Sequence, residues 1–239
     1  MVCEDYTPRG IAYPTDKLSA VSSLMHSFMP HLGKYYAGLW EHNLIMSLQW
    51  EATNTALCMR HEEYVTPSFS WASISGGVIW YFDIREISAP DTHEFANIVD
   101  ISCELARNDP CGPVSSGHIT LRGYTSDMKI EESKLMWLPD GRLEMTKDDT
   151  ESCYVTLDSK QDFERVEPGM TVKCLDIMRD KEGLHDKGLH DKGLHDNYIS
   201  GLVLLPVDHD RPSHYCGIGF STMLKEHFKD SALESATIV

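Results

Sequence analysis

The chain has 239 residues, of which 41% are apolar and 24% charged, a composition that supports one large domain or two small ones. Its 37 acidic residues outnumber the 21 basic ones, which gives a formal net charge of −16. This excess argues against a nucleic-acid or anionic-membrane partner, because phosphate recognition needs clustered Lys and Arg. No apolar run reaches the roughly 18 residues of a transmembrane helix, and the N-terminus lacks a signal-peptide pattern.

The N-terminal part of the chain is predicted to form two amphipathic helices joined by a short loop. Over residues 14–29 apolar side chains recur at three- and four-residue steps, with Thr15 or Asp16 placed to cap the first turn. Pro30 is expected to end this helix. Residues 35–49 repeat the pattern and predict a second helix. The apolar residues that define its face are Tyr36, Trp40, Leu44 and Leu48.

Residues 67–77 separate this helical part from a strand-rich part. Phe69 and Trp71 alternate with small residues, which predicts a strand with an aromatic face, and Pro67 marks its beginning. Two roles are open for Trp71: a core residue, which is favoured, or an aromatic binding platform.

Beyond residue 77 the apolar period is two, which is typical of strands. A hairpin is indicated at 139–141, where Pro, Asp and Gly follow one another. A short closing helix is expected over 223–229, and the last ten residues are expected to fray. The predicted strands are 78–82, 99–105, 119–121, 135–138, 142–145, 154–157, 170–177, 199–205 and 215–220.

These patterns predict an α+β fold in which a helical hairpin precedes an antiparallel β-barrel or sandwich of about eight strands. The expected boundaries are a helical subdomain over 1–66 and a barrel or sandwich over 67–229, with a frayed tail over 230–239. The side chains expected to form the core are Leu18, Trp40, Phe69, Trp71 and Leu121.

A five-residue unit ending in Gly-Leu-His-Asp occurs three times between residues 182 and 196. One interpretation is a divalent metal site that uses His185, His190 and His195. The other is a flexible surface loop over 181–197, which is favoured because ordering three ligands in a glycine-rich segment is entropically costly. No metal and no cofactor is therefore predicted, and titration with zinc or nickel is expected to show no tight site.

The cysteines and histidines do not form a recognisable catalytic motif. Seven widely spaced cysteines without a CxxC pair favour reduced thiols in the cytoplasm. Cys111 and His118 are close enough in sequence to suggest a thiol–imidazole pair, but nothing supplies a third member or an oxyanion site. An enzymatic activity is therefore unsupported.

Several segments in order along the chain resemble one family, the fungal heterokaryon-incompatibility (HET) domain proteins. Tyr13-Pro14-Thr15-Asp16-Lys17-Leu18 with the helix after it, Tyr36-Ala37-Gly38-Leu39-Trp40 and Pro67-Ser68-Phe69-Ser70-Trp71-Ala72-Ser73 are similar to three motifs of that family. The turn 109–112 with the strand 117–123, and the closing strands 201–205 and 215–220, are similar to two more. Phe69 and Cys111 depart from the family's usual tryptophan and phenylalanine.

In the family these motifs lie downstream of the HET domain, whose L-S-Y-x-W-G signature this sequence lacks. The resemblance implies a non-catalytic C-terminal module with a regulatory or protein-partner-binding role in non-self recognition. It supplies no catalytic residue to this chain. Two alternatives stay open: a small-ligand binder or cryptic enzyme with a cavity near Trp71, and a degenerate fragment without a function of its own.

Overall fold

A computed structural model describes residues 2–80, 93–130, 142–146, 152–180, 198–207, 210–211 and 213–239. The predicted strand at 135–138, the turn at 139–141, the repeat at 181–197 and the end of the 78–82 strand lie outside these ranges.

The first predicted helix is present, with different ends. A short helix α1 (Val2–Tyr6) and a 3₁₀ turn at Pro14–Asp16 precede α2 (Ser19–Leu32). Neither Thr15 nor Asp16 caps a helix through its side chain. Pro30 lies inside the last turn, where it removes a single amide donor, and the helix ends at Gly33, whose φ of 78° leaves the helical region.

The second predicted helix is wrong over most of its length. Residues 35–49 form the hairpin β1 (Tyr35–Tyr36) and β2 (Leu39–Trp40), a 3₁₀ turn at Glu41–Asn43, and a short α3 (Leu44–Ser47). The hairpin turns at Ala37 and Gly38, whose φ angles of 48° and 108° do not occur in a helix. The four-residue spacing of the apolar side chains therefore does not reflect a continuous helix. It arises from a hairpin that is followed by a single helical turn.

Two pairs of short strands lie between the N-terminal helices and the large sheet, within residues 50–80. Here β3 (Trp50–Ala52) pairs with β6 (Val78–Trp80), and β4 (Met59–Arg60) pairs with β5 (Ile74–Ser75). A 3₁₀ turn covers Thr55–Leu57. The strand predicted across 67–77 is confirmed only at β5, because Ser70 caps a second 3₁₀ turn at Trp71–Ser73 by accepting a bond from the Ala72 amide.

The rest of the chain builds one large sheet, which confirms the α+β class and the predominantly antiparallel pairing. A short helix α4 covers Lys160–Arg165, and a 3₁₀ turn at Lys225–Phe228 stands where a closing helix is predicted. The strands of the sheet are β7 (His93–Phe95), β8 (Asn97–Leu105), β9 (Val114–Ile130), β10 (Arg142–Thr146), β11 (Cys153–Leu157), β12 (Thr171–Asp180), β13 (Tyr198–Pro206), β14 (His214–Leu224) and β15 (Ala232–Ile238).

Within the described residues the sheet closes into a barrel in the order β9, β12, β13, β14, β11 and β10, with β10 pairing back onto β9. The last strand, β15, fills the remaining gap between β9 and β14, antiparallel to the first and parallel to the second. The expectation that residues 230–239 fray is therefore wrong. The tail is ordered because it supplies the backbone partners that close this end of the barrel.

The barrel encloses one hydrophobic cluster, and its outer face carries a second. The interior is filled by fully buried side chains such as Met128, Met145, Val155 and Val203. The second cluster includes Leu18 and Trp71 together with Leu121 and Ile238, so it spans the boundary predicted at residue 66. The N-terminal segments are thus packed onto the barrel wall through one shared core.

Candidate functional site

Trp71 is a core residue at the meeting point of the N-terminal segments. It is 0% exposed, its Nε1 donates a 2.9 Å hydrogen bond to the Gly38 carbonyl, and Tyr6 meets it edge-on with ring centroids 6.3 Å apart. The Nζ of Lys17 lies 5.4 Å from the ring centroid. The aromatic-platform interpretation is wrong, because no part of the indole is accessible to a ligand.

The other predicted core residues follow the same pattern. Leu18, Phe69 and Leu121 are 1%, 4% and 0% exposed, which confirms them as core. Trp40 is partly buried and packs against the cluster that contains Trp71.

Lys17 is a buried amine within that cluster. It is 3% exposed, and its Nζ donates to the Ile74 carbonyl. Desolvation lowers the pKa of Lys17 to about 8, and nearby Cys58 and Cys3 oppose this weakly. Lys17 lines neither of the two cavities described below, so a substrate has no route to it through them.

Arg60 joins the N-terminal segments to the barrel through buried charges. Its Nε donates to Asp162 and its Nη2 to Asp158, each at 2.8 Å, and Nη1 donates to Ser73 Oγ at 2.9 Å. Burial raises the pKa of Asp158 above its ordinary value, and the charge of Arg60 opposes this shift. All three nitrogens of this guanidinium donate hydrogen bonds inside the protein, which assigns it a structural role.

The suggested Cys111–His118 pair is not assembled. Cys111 is 0% exposed, and burial raises the pKa of its thiol to about 11, which keeps it protonated. The imidazole of His118, on β9, instead contacts Asp100 on the neighbouring strand β8, with Nε2 2.7 Å from Oδ2.

One cluster contains the residue types of a hydrolase triad in a different arrangement. Ser22 donates to Asp109 at 2.7 Å, and His26 Nε2 lies 2.9 Å from the other oxygen of the same carboxylate. The bond from Ser22 is the main reason that the pKa of Asp109 lies below its ordinary value. Because the aspartate sits between the two, His26 does not activate Ser22, and the cluster ties α2 to the turn at 109–112.

The described residues line at least two cavities. The larger, about 370 Å³, lies where β8, β9 and β12 separate. We call it the fork pocket, and it is lined by Ala96, Asn97, Arg122, Gly123, Tyr124, Asp176, Arg179 and Leu233. The smaller, about 20 Å³, borders Phe69 and Asp158 and has room for about one water molecule. Neither is lined by Trp71 or His118, so the cavity expected near Trp71 is not among them.

Strand β8 is an exposed strand of the sheet that lacks a second neighbour in the part of the chain that is described. It pairs only with β9, from Asn97↔Arg122 to Leu105↔Val114. Ile101 and Cys103 turn one face towards the core, while Asp100 and Glu104 are exposed. Val99, at a register shift between Ile98 and Asp100, is 58% exposed. We call residues Asn97–Leu105 the β8 edge.

The metal interpretation of the repeat is not tested by the geometry, because His185, His190 and His195 lie outside the described ranges. Within those ranges no three His, Cys, Asp or Glu side chains are grouped as a metal would require. No described helix is long and apolar enough to cross a membrane. All seven cysteines are free thiols.

Sequence reasoning missed the two arginines that line the fork pocket. Arg122 and Arg179 belong to different strands, and no spacing rule relates them. The one signal in the sequence that could have indicated Arg122 was its position on the polar side of an alternating strand.

Comparisons of the chain with protein-family models, curated proteins and solved structures return no match.

Proposed function

We propose that this chain is a non-catalytic, partner-binding module, related to the region downstream of the HET domain in fungal heterokaryon-incompatibility proteins. It acts in non-self recognition by accepting a strand of a partner protein along the β8 edge. The observation that carries the proposal is the nine-residue strand Asn97–Leu105, paired on one side only within the described residues. Such an edge offers a row of backbone donors and acceptors to an extended segment.

The chemistry of the β8 edge selects a basic partner segment. Asp100 and Glu104 lie on its exposed side, and the chain as a whole carries a net charge of −16. Lysines or arginines at alternate positions of an incoming strand would face these carboxylates, and the overall charge would speed the encounter. Val99, next to Asp100, offers an exposed apolar contact beside the charged positions.

The filled barrel supports a binding role over a catalytic one. Its interior is filled by buried apolar side chains, the charge of Arg60 is paired with Asp158 and Asp162, and Asp109 is engaged by Ser22 and His26. A protein of this kind presents its outer surface to partners.

The contacts among the family-like segments support the relationship that we propose. Lys17 of the first segment donates to Ile74, next to the third. Ser70 and Trp71 of the third donate to the carbonyls of Ala37 and Gly38 in the second. Ser22, which follows the first segment, donates to Asp109 of the fourth. The segments that resemble one family in order along the chain thus form one connected network.

A defined peptide tests the proposal. An alternating lysine–valine heptapeptide is titrated into the protein, and binding is followed by fluorescence anisotropy. Controls are an alternating glutamate–valine peptide and a lysine–valine peptide whose central amides are N-methylated, which cannot pair as a strand. We expect saturable, salt-sensitive binding of the first peptide alone.

A matched pair of variants locates the site. Asp100→Lys with Glu104→Lys should abolish binding, because like charges then face the peptide. Glu164→Lys with Glu167→Lys makes the same change in net charge on an exposed surface around α4 and should retain most of the affinity. No binding of the lysine–valine peptide, or equal loss in both variants, would contradict partner binding at the β8 edge.

A further inference from the structure

We propose that the fork pocket binds a small organic anion, a carboxylate or phosphate carried on a planar or apolar group. This site shares Asn97 with the β8 edge and does not depend on strand addition there. It follows from a break in the pairing of β9, from the charges that line the break and from the aromatic wall beside them.

The pocket exists because β9 changes partners along one edge. It pairs with β8 as far as Arg122 and with β12 from Thr125 onwards, so on this edge Gly123 and Tyr124 pair with neither strand. The corner between β7 and β8 is held against β12 by the Ala96 amide, which donates to the Ile177 carbonyl at 3.1 Å. The three strands therefore frame an opening of about 370 Å³. This volume is near the lower end of the roughly 300–1,000 Å³ range of small-molecule sites.

Gly123 leaves room in the opening because it has no side chain. A Cβ at this position would lie 2.6 Å from the Asp176 carbonyl oxygen and 3.3 Å from the Ala96 side chain. Any larger residue would therefore occupy the space between β9 and β12 and push the strands apart.

The charge in the fork pocket is opposite to that of the whole chain. Arg122 and Arg179 line it against the single carboxylate of Asp176. Arg179 is held in place, because Nε and Nη2 both contact Asp176 Oδ2 and the guanidinium lies 4.5 Å over the Tyr124 ring. Arg122 is exposed and forms no ion pair with another described residue. A local excess of one positive charge in a chain of net charge −16 selects anions.

The remaining walls fit the body of an organic anion. Tyr124 and Leu233 are cross-strand neighbours, 40% and 46% exposed, and together form an apolar side. Asn97, paired with Arg122, adds amide donors next to the guanidinium. An anionic head at Arg122 and Asn97 would place its ring against Tyr124 and Leu233, so the polar and the apolar walls both contribute.

Benzoate and phenyl phosphate are the probes, with benzamide as the neutral counterpart of benzoate. Binding is measured by calorimetry and by chemical-shift changes at residues 122–124. We expect one saturable site for at least one anion and none for benzamide. The stronger of the two anions identifies the head group as carboxylate or phosphate.

Three variants make the test specific. Arg122→Gln should weaken binding by about tenfold or more, since a charge-assisted contact is lost. Leu233→Trp should block the pocket without removing charge, and Arg107→Gln, at an exposed arginine outside the pocket, should bind as the unmodified protein does. The proposal is overturned if neither anion saturates a site, if benzamide binds equally well, or if Arg107→Gln weakens binding as much as Arg122→Gln.

Discussion

The indole of Trp71 and the backbone of Gly38 are in direct contact, and each restricts the position of the other. The indole Nε1 donates a 2.9 Å hydrogen bond to the Gly38 carbonyl, and Gly38 holds a φ of 108° that lets its backbone approach the ring. A Cβ on Gly38 would lie 2.6 Å from the same nitrogen. This contact stabilises the turn between β1 and β2 and holds it against the 3₁₀ turn at Trp71–Ser73.

Gly38→Ala should destabilise the protein by about 1–3 kcal/mol, because alanine is strained at this φ and its methyl group meets the indole. Gly10→Ala is the matched control, since a Cβ there meets nothing within 4 Å and should change stability by less than about 0.5 kcal/mol. Urea unfolding measures both. Equal effects of the two substitutions would show that the turn does not depend on a glycine.

Trp71→Ala should cost about 3–5 kcal/mol, as truncation of a fully buried aromatic residue does. Trp71→Phe keeps most of the ring and loses the bond to Gly38, so it should cost less, about 1–2 kcal/mol. The measurement is the free energy of unfolding in urea. A loss under about 1 kcal/mol for the alanine variant would contradict the central packing role of Trp71.

Glu51→Gln should change how stability depends on pH. Burial raises the pKa of Glu51 to about 7 from an ordinary 4.5, against a hydrogen bond from Thr156 and the charge of Arg142. Between these values the folded protein keeps a proton that the unfolded chain releases, so this group makes the protein less stable as pH rises. The free energy of unfolding of Glu51→Gln, relative to that of the wild type, should therefore increase by about 1–3 kcal/mol as the pH rises from 4.5 to 7.5.

Thermal unfolding of both proteins across that pH range provides the check for Glu51. The comparison removes the contribution of the other acidic groups, which titrate in both proteins. A difference between the two that stays constant with pH would contradict a raised pKa at Glu51.

Two substitutions in β15 test the ordered tail. Ile238 is 0% exposed and Leu233 is 46% exposed on the same strand. Ile238→Ala should cost about 2–5 kcal/mol, and Leu233→Ala about 1 kcal/mol or less. Calorimetric unfolding compares them. If both were neutral, residues 232–238 would be frayed, as the sequence predicts.

The strands were predictable where the local pattern and the tertiary environment agree. Regular alternation placed β8, β9 and β11, because one side of each faces a core. β13 and β14 are buried on both sides, and their short apolar runs marked them instead. Helix α2 followed from its apolar stripe in the same way. Its end was missed, since a proline in the last turn removes few hydrogen bonds and Gly33 decides where the helix stops.

The errors arose where distant residues determine the backbone. The turn at Ala37 and Gly38 is stabilised by side chains of Ser70 and Trp71, whose donors replace helical amides. The tail becomes a strand because β9 and β14 leave a gap that it fills. The fork pocket depends on where three strands part. Single-sequence periodicity contains none of this information.

Hydrogen–deuterium exchange at β8 tests the central claim, strand addition by a partner, most directly. The amides of Asn97–Leu105 are followed in the free protein and with saturating lysine–valine peptide, with the barrel strand β13 as internal reference. The proposal predicts that exchange slows in β8, stays unchanged in β13, and does not respond to the N-methylated peptide. Unchanged exchange in β8 at saturation, or equal protection by the N-methylated peptide, would contradict it.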